Sequence, residues 1–155
     1  MLDNRRSLPK ISSMSGKTFQ HQHRVTYADC TVGNHVYYGH YLGLLEAARG
    51  EFFRSLGRTF LEWQEQDTIF PALEVHLQFQ GPARYDDLLN ISIWLAEMRG
   101  VRINFAYQVT NQTGALLVDG ETWHVCTSTT GKPKRLPKEL VAMLEPFVAA
   151  SLSKS

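Results

Sequence analysis

The sequence predicts an α+β domain in which a curled, five-stranded antiparallel sheet wraps one long central helix. Two observations carry this. Between about Val36 and Leu56, apolar residues recur at three- and four-residue steps. The chain after it holds successive runs in which apolar and polar residues alternate, with short turns between the later ones. Strands joined by short turns run antiparallel. One face of their sheet needs cover, and the Val36–Leu56 segment is the only long apolar helix the sequence offers.

From Phe19 to Tyr27, apolar and polar residues roughly alternate, which predicts a first strand, and the irregular piece Ala28–His35 follows. In the helix, Tyr41, Leu44, Leu45, Ala48, Phe52 and Leu56 mark the buried stripe, and Tyr37, Leu42, Ala47 and Phe53 widen it. Gly57 stops it. Gly39, Gly43, Glu46 and Gly50 share one face, so small residues surround a single carboxylate. Glycines here predict close approach of another backbone, since each costs about 1 kcal/mol of helix propensity against alanine. A short helix is expected over Phe60–Gln66. Strands follow at Leu73–Phe79, Leu89–Leu95, Val101–Val109 and about Ala115–Ser128, with turns at Arg99-Gly100 and Asn111–Gly114. Gly131 and Pro133 break the chain before a last helix near Pro137.

The 155 residues suit one domain, expected over 18–150, with a loose polar tail at 1–17 and a frayed end at 151–155. Met14 is a possible natural start. Sixteen basic and fifteen acidic side chains give a net charge of +1, which argues against bulk nucleic-acid binding. No apolar run reaches the roughly 18 residues of a membrane span, and the start lacks the apolar core of a secretory signal. Cys30 and Cys126 have neither metal-ligand nor disulfide spacing. They read as reduced thiols in a reducing compartment, the cytoplasm.

Three stretches carry a family resemblance: Tyr27-Ala-Asp29-Cys-Thr31-Val-Gly33-Asn34-His35-Val36-Tyr37-Tyr38-Gly-His-Tyr41 continuing to Glu46-Ala-Ala-Arg49, then Pro82–Leu88, then Gly120–Val125 with Gly131–Pro137. Together they span about Phe19 to Pro137 and resemble the 4-hydroxybenzoyl-CoA thioesterase family, which includes small acyl-CoA thioesterases associated with the Tol-Pal system. The resemblance implies the hotdog fold, hydrolysis of an acyl-coenzyme A thioester, no cofactor beyond coenzyme A as part of the substrate, and a homodimer or homotetramer with sites at the subunit interface. Residues near Phe60–Pro71 would then complete the neighbour's pocket. One departure is plain. The family's loop has two aspartates one residue apart, the second catalytic; Asp29 falls on the first position and Thr31 on the second. Some hotdog thioesterases of enediyne biosynthesis also lack the second aspartate.

Thioester hydrolysis needs a polarised carbonyl, an activated water and a held leaving group. If the central helix starts near Tyr37, its first free N–H groups and its dipole can stabilise an oxyanion. The resemblance implies the N–H of Tyr38 or a neighbour as donor. Asp29, Thr31 and His35 are the candidates for water activation, and Glu46 is a further one, because other hotdog branches place a catalytic carboxylate on this helix. Each has a plainer reading: Asp29 as a loop cap, Thr31 as a poor base, His35 as a structural hydrogen bond, and Glu46 paired with Arg49 three residues on. Arg99 and Arg102 at a hairpin end, and Lys132, Lys134 and Arg135 after the last strand, suit the phosphates of the CoA nucleotide; as plain residues they are solvated surface charges. No metal site is expected: His21 and His23 share a strand face without a third ligand, and Cys30 lacks an assigned base. Tyr37, Tyr38, Tyr41, Phe60, Trp63 and Phe70 line either an acyl pocket or ordinary core.

Two alternatives stand beside the acyl-CoA hydrolase. A hydratase loop would be Asp-x-Asn-Pro-x-His, whereas Asn34 and His35 are adjacent here and Asp29 lies six residues before the histidine. A non-catalytic acyl-CoA or acyl-carrier-protein binding module is kept open by Thr31, and acyl-carrier-protein thioesters are equally possible substrates for the same chemistry.

Overall fold

The computed structural model describes residues 16–149. The expected loose ends lie outside the described residues except for Gly16 and Lys17. Lys17 is not loose, because its N–H donates to the Pro146 carbonyl at 2.8 Å.

In chain order the elements are β1 (Phe19–Arg24), β2 (Cys30–Thr31), β3 (His35–Val36), α1 (Tyr41–Ser55), α2 (Phe60–Glu65), β4 (Ala72–Phe79), β5 (Leu88–Arg99), β6 (Arg102–Thr110), β7 (Leu116–Val125) and α3 (Lys138–Leu144). Five strands form one sheet in the order β1-β5-β6-β7-β4, and β2 and β3 make a separate small hairpin. Every ladder in both sheets is antiparallel. The sheet face toward α1 is built from alternate residues in register: Phe19 opposite Ile93, Ile93 opposite Tyr107, Tyr107 opposite Gly120 and Gly120 opposite Leu77. Leu89, Ile91, Ile93 and Leu95 are fully buried there against Leu45, Ala48, Phe52 and Phe53 of the helix. Phe53 meets Phe60, Phe70 and Phe105 with ring centroids at 4.6, 5.5 and 6.1 Å. This is the sheet-on-helix arrangement the hydrophobic pattern predicts, the hotdog fold.

Local chemistry sets the ends of the elements. Thr59 caps α2: its hydroxyl accepts the Glu62 N–H and the Glu62 carboxylate accepts the Thr59 N–H, both at 3.2 Å. At the sheet edge, a Cβ on Gly120 would press on the His76 carbonyl and on Leu77, so only glycine lets β4 and β7 approach here.

Three expectations change. The helix does not begin at Val36, because Val36 is held in the β3 ladder opposite Cys30 and donates to the Ala83 carbonyl at 2.9 Å. Tyr37 is extended, Tyr38–His40 form a 3₁₀ turn, and the α-helix starts at Tyr41. Second, no backbone approaches Gly43; a Cβ there would meet nothing within 4 Å. Gly39 lies instead against the Tyr37 ring and Gly50 beside Phe60, so the open space on this face is at Gly43. Third, the apolar row of β4 is only partly core: Leu77 packs against the core, while its neighbours in the row stay exposed. Val75 and Phe79 stand on the α1 face of the sheet, opposite Thr122 and Val118, yet stay 44% and 50% exposed. The helix covers the middle of the sheet and leaves much of this edge strand exposed.

Candidate active site

The segment between β1 and α1 is pinned from below. Val25 and Asp86–Asp87 exchange two backbone hydrogen bonds of 2.8 and 3.0 Å. The Asn34 side-chain oxygen accepts the Tyr85 N–H at 3.1 Å. Gly33 and Asn34 take positive φ angles of 103° and 58°, conformations those two residue types tolerate best, and this closes the β2–β3 hairpin. The Pro82–Leu88 stretch is therefore the floor of the loop.

Asp29 is the anchor of this loop. Its side chain is 8% exposed, and its two oxygens accept from His23 Nε2 and His40 Nε2, each at 2.7 Å. The Thr26 N–H adds a third bond at 2.8 Å. Burial by itself would push the carboxyl up, but the Thr26 amide and the two imidazoles outweigh it and hold Asp29 at about 2. An ionised carboxylate only accepts, so both rings donate Nε2–H to it. Asp29 is thus occupied on every side, which favours the loop-cap reading over direct attack on water. His23 sits on β1, in register with Leu89, and faces this carboxylate. Among the described residues no group of three His, Cys, Asp or Glu is arranged to hold a metal.

The helix front is open. Tyr37 N–H donates to the Asp29 carbonyl at 3.3 Å and His40 N–H to the Tyr37 carbonyl at 2.9 Å. Between them, neither the Tyr38 nor the Gly39 N–H meets an acceptor among the described residues. These amides lead the 3₁₀ turn into α1, where N–H groups are left unpaired by helix geometry. A cleft of about 330 Å³ lies beside them, lined by His35, Tyr37, Tyr38, Tyr41, Phe79 and Pro82. Thr31 faces His35 across the hairpin, but it opens on a second groove with Tyr27, Cys30 and Tyr85. The Thr31 hydroxyl donates to the Val32 carbonyl at 3.2 Å. The structure therefore gathers His35 and Tyr38 in one cleft, keeps Thr31 just across the hairpin, and buries Asp29 behind it.

Glu46 lies further along α1, in a cavity of about 190 Å³ shared with Arg49, Phe60, Gln64, Phe70, Phe105 and His124. The expected Glu46–Arg49 pair is not among the ion pairs of the described residues. Arg49 instead donates to the Tyr107 hydroxyl at 2.9 Å. Tyr107 lies 2.6 Å from the Thr122 hydroxyl, Thr122 lies 2.9 Å from His124 Nε2, and His124 Nδ1 lies 2.9 Å from the Phe70 carbonyl. The direction of every proton follows. A carbonyl only accepts, so Nδ1 carries the hydrogen. Burial, with the Arg49 charge facing it, pushes His124 down to about 4, against the weaker pull of Phe70. Nε2 is then a bare acceptor. Thr122 donates to His124, Tyr107 donates to Thr122, and Arg49 donates to Tyr107.

A pH dependence follows from this. His124 titrates lower folded than unfolded, so its contribution is complete above its ordinary value of 6.5 and is lost as the pH falls toward 4. The loss amounts to about 3 kcal/mol. His124→Gln keeps a donor and an acceptor but does not titrate. In urea unfolding between pH 7 and 4, the wild type is expected to lose that stability and the variant to lose far less of it. Equal slopes would show that His124 does not stay neutral.

The cationic candidates gather at the other end of the sheet. Arg99 pairs with Arg102 across the β5–β6 turn, and Leu136 N–H donates to the Gly100 carbonyl at 3.0 Å, which brings Arg135 to the same turn. Lys134 Nζ is engaged with the Asp67 carbonyl and Thr68 hydroxyl at 2.9 and 3.0 Å. Within one chain, this end is separated from the loop end by the length of β5, about 35 Å of strand. The Cys30 thiol is spent on the Thr26 carbonyl at 3.6 Å. His40, Tyr107, Thr122 and His124 were not singled out by sequence reasoning. Thr122 and His124 had a signal: they interrupt an otherwise small or apolar inward row on β7 with polar side chains.

An antiparallel five-stranded sheet laid against one long helix defines the hotdog class of protein. The sequence model described as Thioesterase superfamily matches residues 33–118, more than half of the chain. The acyl-CoA thioester hydrolase YbgC of Escherichia coli is 31% identical over 130 residues, covering 83% of this chain and 97% of the relative. A hypothetical protein of Thermus thermophilus superposes with a TM-score of 0.76 at 29% identity, over 83% of this chain and 98% of the other. The dynemicin thioesterase shares the fold, with a TM-score of 0.81 at 20% identity over 87% of this chain and all of the other. The chain belongs to the thioesterase superfamily.

Proposed function

We propose that this protein hydrolyses acyl-CoA thioesters in the cytoplasm, with the Tyr38 N–H, assisted by that of Gly39, receiving the oxyanion. The observation that carries the reading is the pair of amides, Tyr38 and Gly39, without an acceptor among the described residues, at the helix front where Tyr38 lines a cleft with His35. The thioester oxygen docks on them, and the carbonyl carbon becomes electrophilic. Water attacks that carbon, and His35, which lines the cleft, takes its proton. The C–S bond of the tetrahedral intermediate breaks, and the CoA thiolate leaves and is protonated. The free acid remains. Thr31 stands in the position of the family's catalytic carboxylate and helps to hold the water, while Asp29 keeps the loop in shape.

A homodimer suits the bare β4 edge, which presents Leu73, Val75 and Phe79. Antiparallel pairing of two β4 edges would carry the basic end of one chain round to the helix front of the other. That would put Arg99, Arg102, Lys132 and Arg135, with Lys134 behind them, near the CoA phosphates. The test is thiol release from a panel of acyl-CoAs. His35→Gln should lower kcat by on the order of 10²-fold with little change in KM. Saturable binding with no thiol release would favour the binding module instead. Turnover that survives both His35→Gln and Thr31→Ala would remove the hairpin from the chemistry.

A further inference from the structure

Two hollows lie between α1 and β4, and a third adjoins the second between α1 and α2. The first is the cleft at the helix front, with Tyr38 and Tyr41 on one wall and Phe79 on the other. The second has Leu42, Gly43, Glu46 and Arg49 facing Ala72 and Val75. The third is the cavity walled by Phe60, Phe70 and Phe105, which shares Glu46, Arg49 and His124 with the second. Gly43 gives the track its depth, because nothing occupies the space where its side chain would be. Val75, Phe79 and Leu42, half-exposed, line its length with apolar surface.

At the far end stands a charge held with unusual care. Arg49 is half-buried, bonded to Tyr107 and paired with no carboxylate among the described residues. Behind it, Tyr107, Thr122 and His124 are buried and all their hydrogen bonds point one way. Such a chain fixes the guanidinium and leaves its remaining N–H donors for a ligand. Glu46 shares the cavity and opposes a second anion, so the complement is a neutral acceptor oxygen rather than a carboxylate.

We infer that the groove between α1 and β4 seats the acyl chain of the substrate, and that Arg49 binds a carbonyl oxygen near its far end. The inference rests on the proposed hydrolysis for the position of the thioester. From Tyr38 to Arg49 the helical path rises about 16 Å. An extended chain gains about 1.2 Å per bond, judged from the peptide backbone, so the oxygen lies about a dozen atoms from the thioester carbon. Arg49 is a binding residue here, and Tyr107, Thr122 and His124 are positioning residues.

The test compares 11-oxododecanoyl-CoA, dodecanoyl-CoA and butanoyl-CoA with the full-length protein. The wild type is expected to favour the oxo chain over the plain one by about tenfold in kcat/KM, as one charge-assisted hydrogen bond allows. Arg49→Met should bring that ratio close to one, Arg49→Lys should fail to restore it, and Tyr107→Phe should reduce it. Gly43→Leu, placed in open space on a helix, should lower kcat/KM for both long chains far more than for butanoyl-CoA. The idea is overturned by a wild type indifferent to the oxo group, by a ratio that survives Arg49→Met, or by a Gly43→Leu variant whose only change is in oligomeric state. If no acyl-CoA is turned over at all, the proposed hydrolysis fails. Calorimetry with 11-oxododecanoate and dodecanoate then still decides the groove: tighter binding of the oxo acid, lost in Arg49→Met, supports it, and equal or absent binding rejects it.

Discussion

Tyr38→Pro is expected to slow thioester hydrolysis by about 10²- to 10³-fold relative to Tyr38→Ala, while both variants stay folded. The reason is that proline deletes a single atom group, the amide hydrogen, at a position built to tolerate it. Tyr37 before it is already extended, with φ −63° and ψ 132°, the conformation that a following proline demands. Tyr38 is the first residue of the 3₁₀ turn, where proline's fixed φ suits a helix start. Its N–H meets no acceptor among the described residues, so no hydrogen bond seen there is lost. Alanine removes the same ring, including its contacts with Tyr37 and Phe79 at 4.7 and 6.3 Å between centroids, but keeps the N–H. The difference between the two variants therefore isolates the amide. It should appear in kcat rather than in KM, because the oxyanion exists only in the transition state. Equal rates in the two variants, with unchanged circular dichroism and melting temperature, would move the oxyanion site elsewhere.

Asp29→Asn is expected to cost about 2–3 kcal/mol of stability at neutral pH. Three donors converge on two carboxylate oxygens here. Asparagine replaces one of those acceptors by a donor, so an N–H is set against an imidazole N–H until a ring changes tautomer. For a domain of this size the loss lowers Tm by roughly 5–10 °C. The pH dependence has a definite sign. Asp29 titrates at about 2 rather than 3.8, so the folded state favours the carboxylate. That contribution, about 2 kcal/mol, is complete above pH 3.8 and disappears as the pH falls through 2. The gap between wild type and variant should thus be constant near neutrality and narrow on strong acidification. A gap that keeps its full size down to pH 2 would mean that the charge of Asp29 contributes nothing. Turnover should fall as well, on the order of 10²-fold, because the Asp29 carboxylate holds His40 of the 3₁₀ turn and so sets the angle of the helix front.

Much of the fold was legible because its signals are local. The middle of β5 and most of β6 alternate apolar and polar residues, and the glycines at 57, 100 and 114 adopt the positive φ angles that end a helix or close a turn. The helix start was misplaced for a reason of the opposite kind. Val36 and Tyr37 fit the helical spacing, but a ladder to Cys30 and a bond to Ala83, far along the chain, hold Val36 extended. The site was read in the same uneven way. His35 and Tyr38, named from the loop and helix front themselves, do line one cleft. Asp29 was read both as a base and as a loop cap, but its partners were not legible, because His23 and His40 come from a strand and a turn on either side of it. Arg49 was assigned to Glu46 by helical spacing, whereas its partner Tyr107 lies on β6.

The sequence by itself determined the class of fold and the apolar rows of the central helix and sheet, since each depends on periodicity and turn chemistry within a few residues. The tertiary structure alone decided what the polar side chains do. Hydrogen bonds are short and directional, so whether Asp29 attacks or anchors, and whether Arg49 pairs or waits for a ligand, depends on which distant strand lies within 3 Å of it.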